Sequence, residues 1–217
     1  MRILKESYFM NIRKSAFLAG AGVLFALPAF ASADINWTFN TLVSGDDPGF
    51  SAPWATLTGT NVAGGAEFVL TFSSNAPAGE FIGGLDMNYD GSLSGASFTS
   101  DHPEKVKDVS FGDFTDAGSV FNIDLNLLTT NKDGGTHRLK PGESIKFDIL
   151  GAGIDVDGFN TMSDPHGDGQ GYFALLHIQG LPNGGSAKVA PGAVPEPASM
   201  GALAIGALGL MRRRKRN

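Results

Sequence analysis

The chain has 217 residues, with 16 Lys+Arg against 22 Asp+Glu and no cysteine, which rules out a disulfide framework, a thiolate metal site and a cysteine nucleophile. The charge is unevenly spread: the stretch from Asp34 to Pro191 holds seven basic and twenty acidic residues, a net of −13. A segment that acidic repels phosphate backbones, so no nucleic-acid partner is expected.

The first element in chain order is a targeting segment. Arg13 and Lys14 precede an uncharged apolar run from Ser15 to Phe30, broken late by Pro28. Ala31-Ser32-Ala33 then places small residues, Ala31 and Ala33, at the two positions that a signal peptidase reads. Basic start, apolar middle and small-residue end together predict a signal peptide over residues 1–33, with the mature protein starting at Asp34. The apolar run is shorter than the ~20 residues that a membrane span prefers. Met10 opens a more typical signal than Met1 does.

Residues 34–180 predict an all-β domain. No amphipathic helix longer than about two turns is visible, and short alternating runs are separated by Gly, Asp, Asn and Pro. The expected strands are Ile35–Val43, Trp54–Thr58, Ala66–Ser73, Phe81–Tyr89, Ala96–Thr99, Val106–Phe111, Val120–Leu127, Ser144–Leu150 and Tyr172–Gln179. Alternation is clearest in Phe121, Ile123, Leu125 and Leu127, and again in Ile145, Phe147 and Ile149, with a turn at Pro141-Gly142 between the two. A brief helical turn is expected within Val156–Ser163. This many short period-2 strands favour one antiparallel β-sandwich or jelly roll.

Within this domain the candidate chemistry is sparse. Asp86, Asn88 and Asp90, followed by Gly91, have the spacing that opens a calcium loop, but Ser97 stands where its closing bidentate Glu belongs. The same residues also read as a strand ending in an Asp-Gly turn, so no metal site is assigned. Asp164, His166 and Asp168 read as a solvated loop, His177 as one face of a strand, and His102 and His137 as turn residues without a visible partner. No G-x-S-x-G appears, and Val156 occupies the third glycine position of a dinucleotide fingerprint. No catalytic residue and no cofactor are assigned. Trp37, Trp54 and Phe50 are either core residues or a sugar-stacking platform. A carboxylate pair suited to glycoside hydrolysis is open among the many acidic residues.

The chain then turns rich in Gly, Pro and Ala, which predicts a linker over residues 181–194. Pro195-Glu196-Pro197 follows, then an apolar stretch, Ala198–Met211, and a basic cluster, Arg212, Arg213, Arg214, Lys215 and Arg216. Fourteen apolar residues are short for a span, but local thinning and arginine snorkelling accommodate them. Arginines directly after an apolar helix stay cytoplasmic, as Arg13 and Lys14 do, so both ends place residues 34–197 across the membrane.

These terminal residues, 195–217, resemble the PEP-CTERM sorting signal of exopolysaccharide-producing Gram-negative bacteria. The resemblance implies recognition of Pro195, Glu196 and Pro197 by an exosortase, a membrane-embedded transpeptidase-like enzyme, with residues 198–211 presenting the site at the membrane face. Two prolines hold such a backbone extended and open to a protease. The expectation is an exported envelope or matrix protein, first membrane-anchored, then handled by signal peptidase and exosortase, non-catalytic and associated with exopolysaccharide and biofilm. The alternatives are a carbohydrate-binding module, calcium-assisted through Asp86, Asn88 and Asp90, and a hydrolase of matrix sugars.

Overall fold

Alternation of apolar and polar side chains decides the architecture. From Ser119 to Leu127 every second residue is buried, including Phe121, Ile123, Leu125 and Leu127, while Asn122, Asp124 and Asn126 lie half-buried on the opposite face. Ile145, Phe147 and Ile149 repeat the pattern against Lys146 and Asp148. Period-2 burial suits a strand and no helix. The computed structural model describes residues 34–192, all in the second of the chain's two units, Ser32–Asn217. Among the described residues the helical content is three short 3-10 turns, one of them at Asp157–Phe159 inside the expected helical turn.

The strands are β1 (Ile35–Gly45), β2 (Ala55–Val62), β3 (Gly65–Phe72), β4 (Phe81–Met87), β5 (Ser97–Ser100), β6 (Val106–Asp116), β7 (Ser119–Leu127), β8 (Ser144–Leu150), β9 (Asp164–Pro165), β10 (Ala174–Gln179) and β11 (Ser186–Pro191). They join in one antiparallel sheet of order β5-β8-β3-β2-β1-β11-β10-β4-β7-β6, with β9 beside the start of β7. A flat sheet of ten strands would be roughly 45 Å wide at the usual strand spacing. Its two ends could not then share a core, yet one apolar cluster draws on both. Phe159 links them directly: its ring lies 4.8 Å from Phe68 of β3 and 4.8 Å from Tyr89 just after β4, five strands away in the order. The apolar face of the sheet therefore folds over onto itself. Phe68 also stacks on Phe147 of β8 at 5.3 Å. Truncating a phenylalanine so enclosed typically costs about 3–5 kcal/mol.

One feature departs from the sequence expectation. Residues 186–191, expected as linker, form β11, which lies between β1 and β10 in the interior of the sheet. Ala187, Val189 and Ala190 are fully buried there. Small residues between glycines look like linker by composition, but they suit a crowded central strand. The domain accordingly runs to at least Gly192, whose N–H donates to the Thr38 carbonyl. The expected turn at Pro141-Gly142 does lie between β7 and β8, which are not sheet neighbours. β7 pairs with β4 and β6, and β8 with β3 and β5. The connection between them is pinned by Lys105, 7% exposed, whose Nζ donates to the Arg138 carbonyl (3.0 Å) and to Glu143 (2.8 Å).

The sheet edges are blunted. β5 is four residues long, and β6 carries Lys107, Asp108, Asp113 and Asp116 and is bent by a register shift between Phe111 and Phe114. Short, charged or bulged edges resist pairing with other chains. Gly112, at φ +134°, supplies the backbone for that bend.

Candidate functional site

Antiparallel register places polar side chains in rows across the outer face. One row is Lys188 (β11), His177 (β10), Gly84 (β4), Asn126 (β7) and Asp108 (β6), each opposite the next. The adjacent row is Leu175, Asp86, Asp124 and Ser110. Beyond Gly112 the bent end of β6 carries Asp116 over this face to Asp86 and Lys188. Phe114, Thr115 and Asp116 thus wall one side of a cleft of about 440 Å³, which opens above Gly84, Asp124 and Asn126.

The opposite wall, Leu128 to Thr130, is held in place. Arg138 donates from Nε and Nη2 to the Thr129 carbonyl (3.0 and 2.6 Å) and from Nε to the Thr130 carbonyl (3.1 Å). Its guanidinium also lies 4.0 Å over the Phe81 ring. Leu128 N–H donates to the Lys105 carbonyl at 2.8 Å. Such a wall is pre-organised, which lowers the ordering cost of binding.

Electrostatics in the cleft follow from burial. Asp86 is 8% exposed. Burial, aided by the Asp116 and Asp124 carboxylates, pushes its carboxyl up to about 8, so at neutral pH it is protonated and hydrogen-bonded to the Asp116 side chain. Asp116 is in turn paired with Lys188 Nζ. Burial also raises Asp124, against a hydrogen bond from Asn126 that lowers it. Asn126 Nδ2 bridges Asp124 (2.8 Å) and Asp108 (2.9 Å). Burial and then the Lys188 charge lower the His177 imidazole, keeping it neutral; its Nδ1 lies 3.2 Å from Gln179 Nε2.

The residues singled out by sequence are dispersed. Asp86 is buried in β4 on the cleft side, Asn88 is buried just past the end of β4 and Asp90 is exposed beyond it, so the three do not gather as a calcium loop. Tyr89 between them is clamped by Asn122, which accepts from the Tyr89 N–H (3.0 Å) and donates to its carbonyl (2.8 Å). No three His, Asp or Glu among the described residues are grouped to hold a metal. Trp37 is 1% and Trp54 7% exposed, and Trp54 Nε1 donates to the Phe50 carbonyl at 3.0 Å. These aromatics are core, which overturns a stacking platform built on them. Asp164 lies in the short strand β9 beside β7, and His166 and Asp168 lie on the exposed loop that follows. His137 is exposed, whereas His102 does have a partner, Glu104, at 2.9 Å. His177 sits on a strand face as expected, but that face lines the cleft.

The signal-peptide residues Ala31 and Ala33, the Pro195-Glu196-Pro197 motif, the apolar stretch 198–211 and the Arg212–Arg216 cluster lie outside the described residues. Among the described residues no helix is long and apolar enough to cross a membrane. Residues 193–216 match the PEP-CTERM protein-sorting motif, where the sequence placed it. That motif indicates an exported protein, anchored at the membrane for processing by an exosortase on its way to the cell surface. No curated protein and no solved structure matches the chain.

Proposed function

We propose that the protein is a non-catalytic component of the envelope or extracellular matrix of a Gram-negative bacterium, held there by contact with exopolysaccharide, and so part of a biofilm. The observation that carries this reading is the rigid, hydrogen-bonding cleft on the outer face of a domain whose terminal residues match a sorting motif. Carboxylates, amides and a neutral imidazole around one aromatic side chain are the groups that hold a hydroxyl-rich ligand. The folded sheet is read as the two layers of a sandwich with this cleft on one outer face. Signal peptidase acts after Ala33, and the exosortase grips Pro195, Glu196 and Pro197. No metal or cofactor is invoked.

The test has two arms. Replacing Pro195 and Glu196 with Ala in an exosortase-bearing host leaves the carboxyl tail uncut, read by mass on immunoblots; unchanged processing overturns the sorting role of those residues. Full-length chain in detergent micelles is retarded in gels containing the host's exopolysaccharide; equal mobility with and without polymer overturns the association.

A second reading, hydrolysis of matrix sugars, is favoured by the protonated Asp86 beside Asp116 and Asp124 in one cleft. Against it, Asp116 is engaged by both Lys188 and Asp86. Release of reducing ends from the host polysaccharide, lost in Asp124→Asn, would support it over simple binding.

A further inference from the structure

Gly84 stands at the centre of the outer-face row, between His177 and Asn126. Glycine weakens a strand interior, and where it occurs there it often marks close approach by a ligand or another backbone. Here the backbone does not require it. Gly84 is absent from the positive-φ positions, and a Cβ built on it comes no nearer than 3.4 Å to the Leu125 carbonyl oxygen and 3.9 Å to Asn126 Oδ1. Both are ordinary contacts. A side chain at residue 84 would project into the cleft, so what the glycine preserves is open space.

The chemistry around that space is selective. Asp124 offers a carboxylate acceptor in the lining, held by Asn126, which also donates to Asp108 beyond it. Lys188 is engaged by Asp116, and Lys107, at the rim, is 3.4 Å from Asp108 and largely exposed. Among the described residues no unpaired cation therefore faces the floor, and the surrounding segment carries −13. Among the described residues Phe114 supplies the one benzene ring of the lining. Carboxylate acceptors suit hydroxyl and ammonium donors and repel anions. A cleft of about 440 Å³ is within the usual range of small-ligand sites, roughly 300–1,000 Å³.

We propose that the cleft above Gly84 is a binding site for a short segment of a neutral or amine-bearing saccharide, and that it excludes polyuronates. This rests on the exopolysaccharide reading and names the site and the ligand class within it. Asp124 accepts a hydrogen bond from the ligand, Phe114 covers an apolar ring face, and Gly84 keeps the floor clear.

The experiment uses full-length chain in detergent micelles, with affinity electrophoresis against three probes: a neutral glucan, chitosan oligomers and alginate. The expected result is retardation by the glucan or by chitosan and none by alginate. Gly84→Leu weakens that binding at least tenfold while the melting temperature and circular dichroism stay close to wild type. Should Gly84→Leu fail to fold, Asp124→Asn serves instead. It removes the repulsion, so it gains alginate binding, which a merely structural role for this residue would not produce. Undiminished binding in a folded Gly84→Leu overturns the site even if host polysaccharide binds wild type, leaving the broader reading intact. Preferential binding of alginate by wild type overturns the ligand class. Failure of all three probes and of host polysaccharide overturns both.

Discussion

Asp86 is the residue whose titration the fold alters most visibly. Its carboxyl moves from an ordinary 3.8 to about 8, chiefly because burial penalises the charged form. In the unfolded chain the proton leaves near pH 4; in the native state it stays until about pH 8. Between those limits the native protein binds more protons than the unfolded one, so this residue's contribution to stability falls as pH rises and levels off above about 8. Glu80, 1% exposed and without a hydrogen-bond partner for either carboxylate oxygen, is raised to about 7 by burial and acts in the same direction. Asp86→Asn keeps a donor for Asp116 but cannot ionise. We expect it to flatten the pH dependence and, at pH 8, to be more stable than wild type by more than ~1 kcal/mol, the scale of one pKa unit. Denaturant titrations at pH 5 and pH 8 read this directly; an unchanged slope between the two would show that Asp86 ionises freely.

At the scale of elements, alternation made most of the sheet legible. Phe121 to Leu127 and Ile145 to Ile149 stand where their pattern puts them, and each of the nine expected runs overlaps a strand. β11 was hidden because Ser186-Ala187-Lys188-Val189-Ala190 has one large apolar residue and glycines before it, while its burial depends on partners β1 and β10, remote in sequence. The cleft was hidden for a related reason. Asp86, Asp116, Asp124 and Lys188 converge only through register and the bend at Gly112, and no local spacing encodes either. The one local hint was Gly83-Gly84 in the middle of an apolar strand. Since β11 holds β1 to β10, deleting Ser186–Pro191 removes pairing on both sides and splits the sheet. We expect a chain lacking those six residues to lose cooperative thermal unfolding, whereas a chain ending at Gly192 retains it; equal cooperative transitions would mean that β11 is dispensable.

On the scale of the whole molecule, −13 between Asp34 and Pro191 produces self-repulsion that opposes folding. Among the described residues a few ion pairs offset it, including Lys105–Glu143, Lys146–Glu67 and Lys188–Asp116. Raising the salt from about 10 mM to about 150 mM shortens the screening length from roughly 30 Å to roughly 8 Å. That relieves repulsion between distant carboxylates more than it weakens buried pairs, so the melting temperature is expected to rise by a few degrees. A fall would show that local pairs outweigh the net charge.

β11 also determines how the molecule bears force. A tug on the carboxyl-terminal tail reaches the domain at Gly192 and runs straight into β11. An edge strand at that point could be unzipped one hydrogen bond after another. β11 is flanked on both sides, by β1 and by β10, so a lengthwise pull loads two ladders in shear and their bonds must yield together. While tail and membrane remain joined, a pull along β11 is resisted by two ladders rather than one.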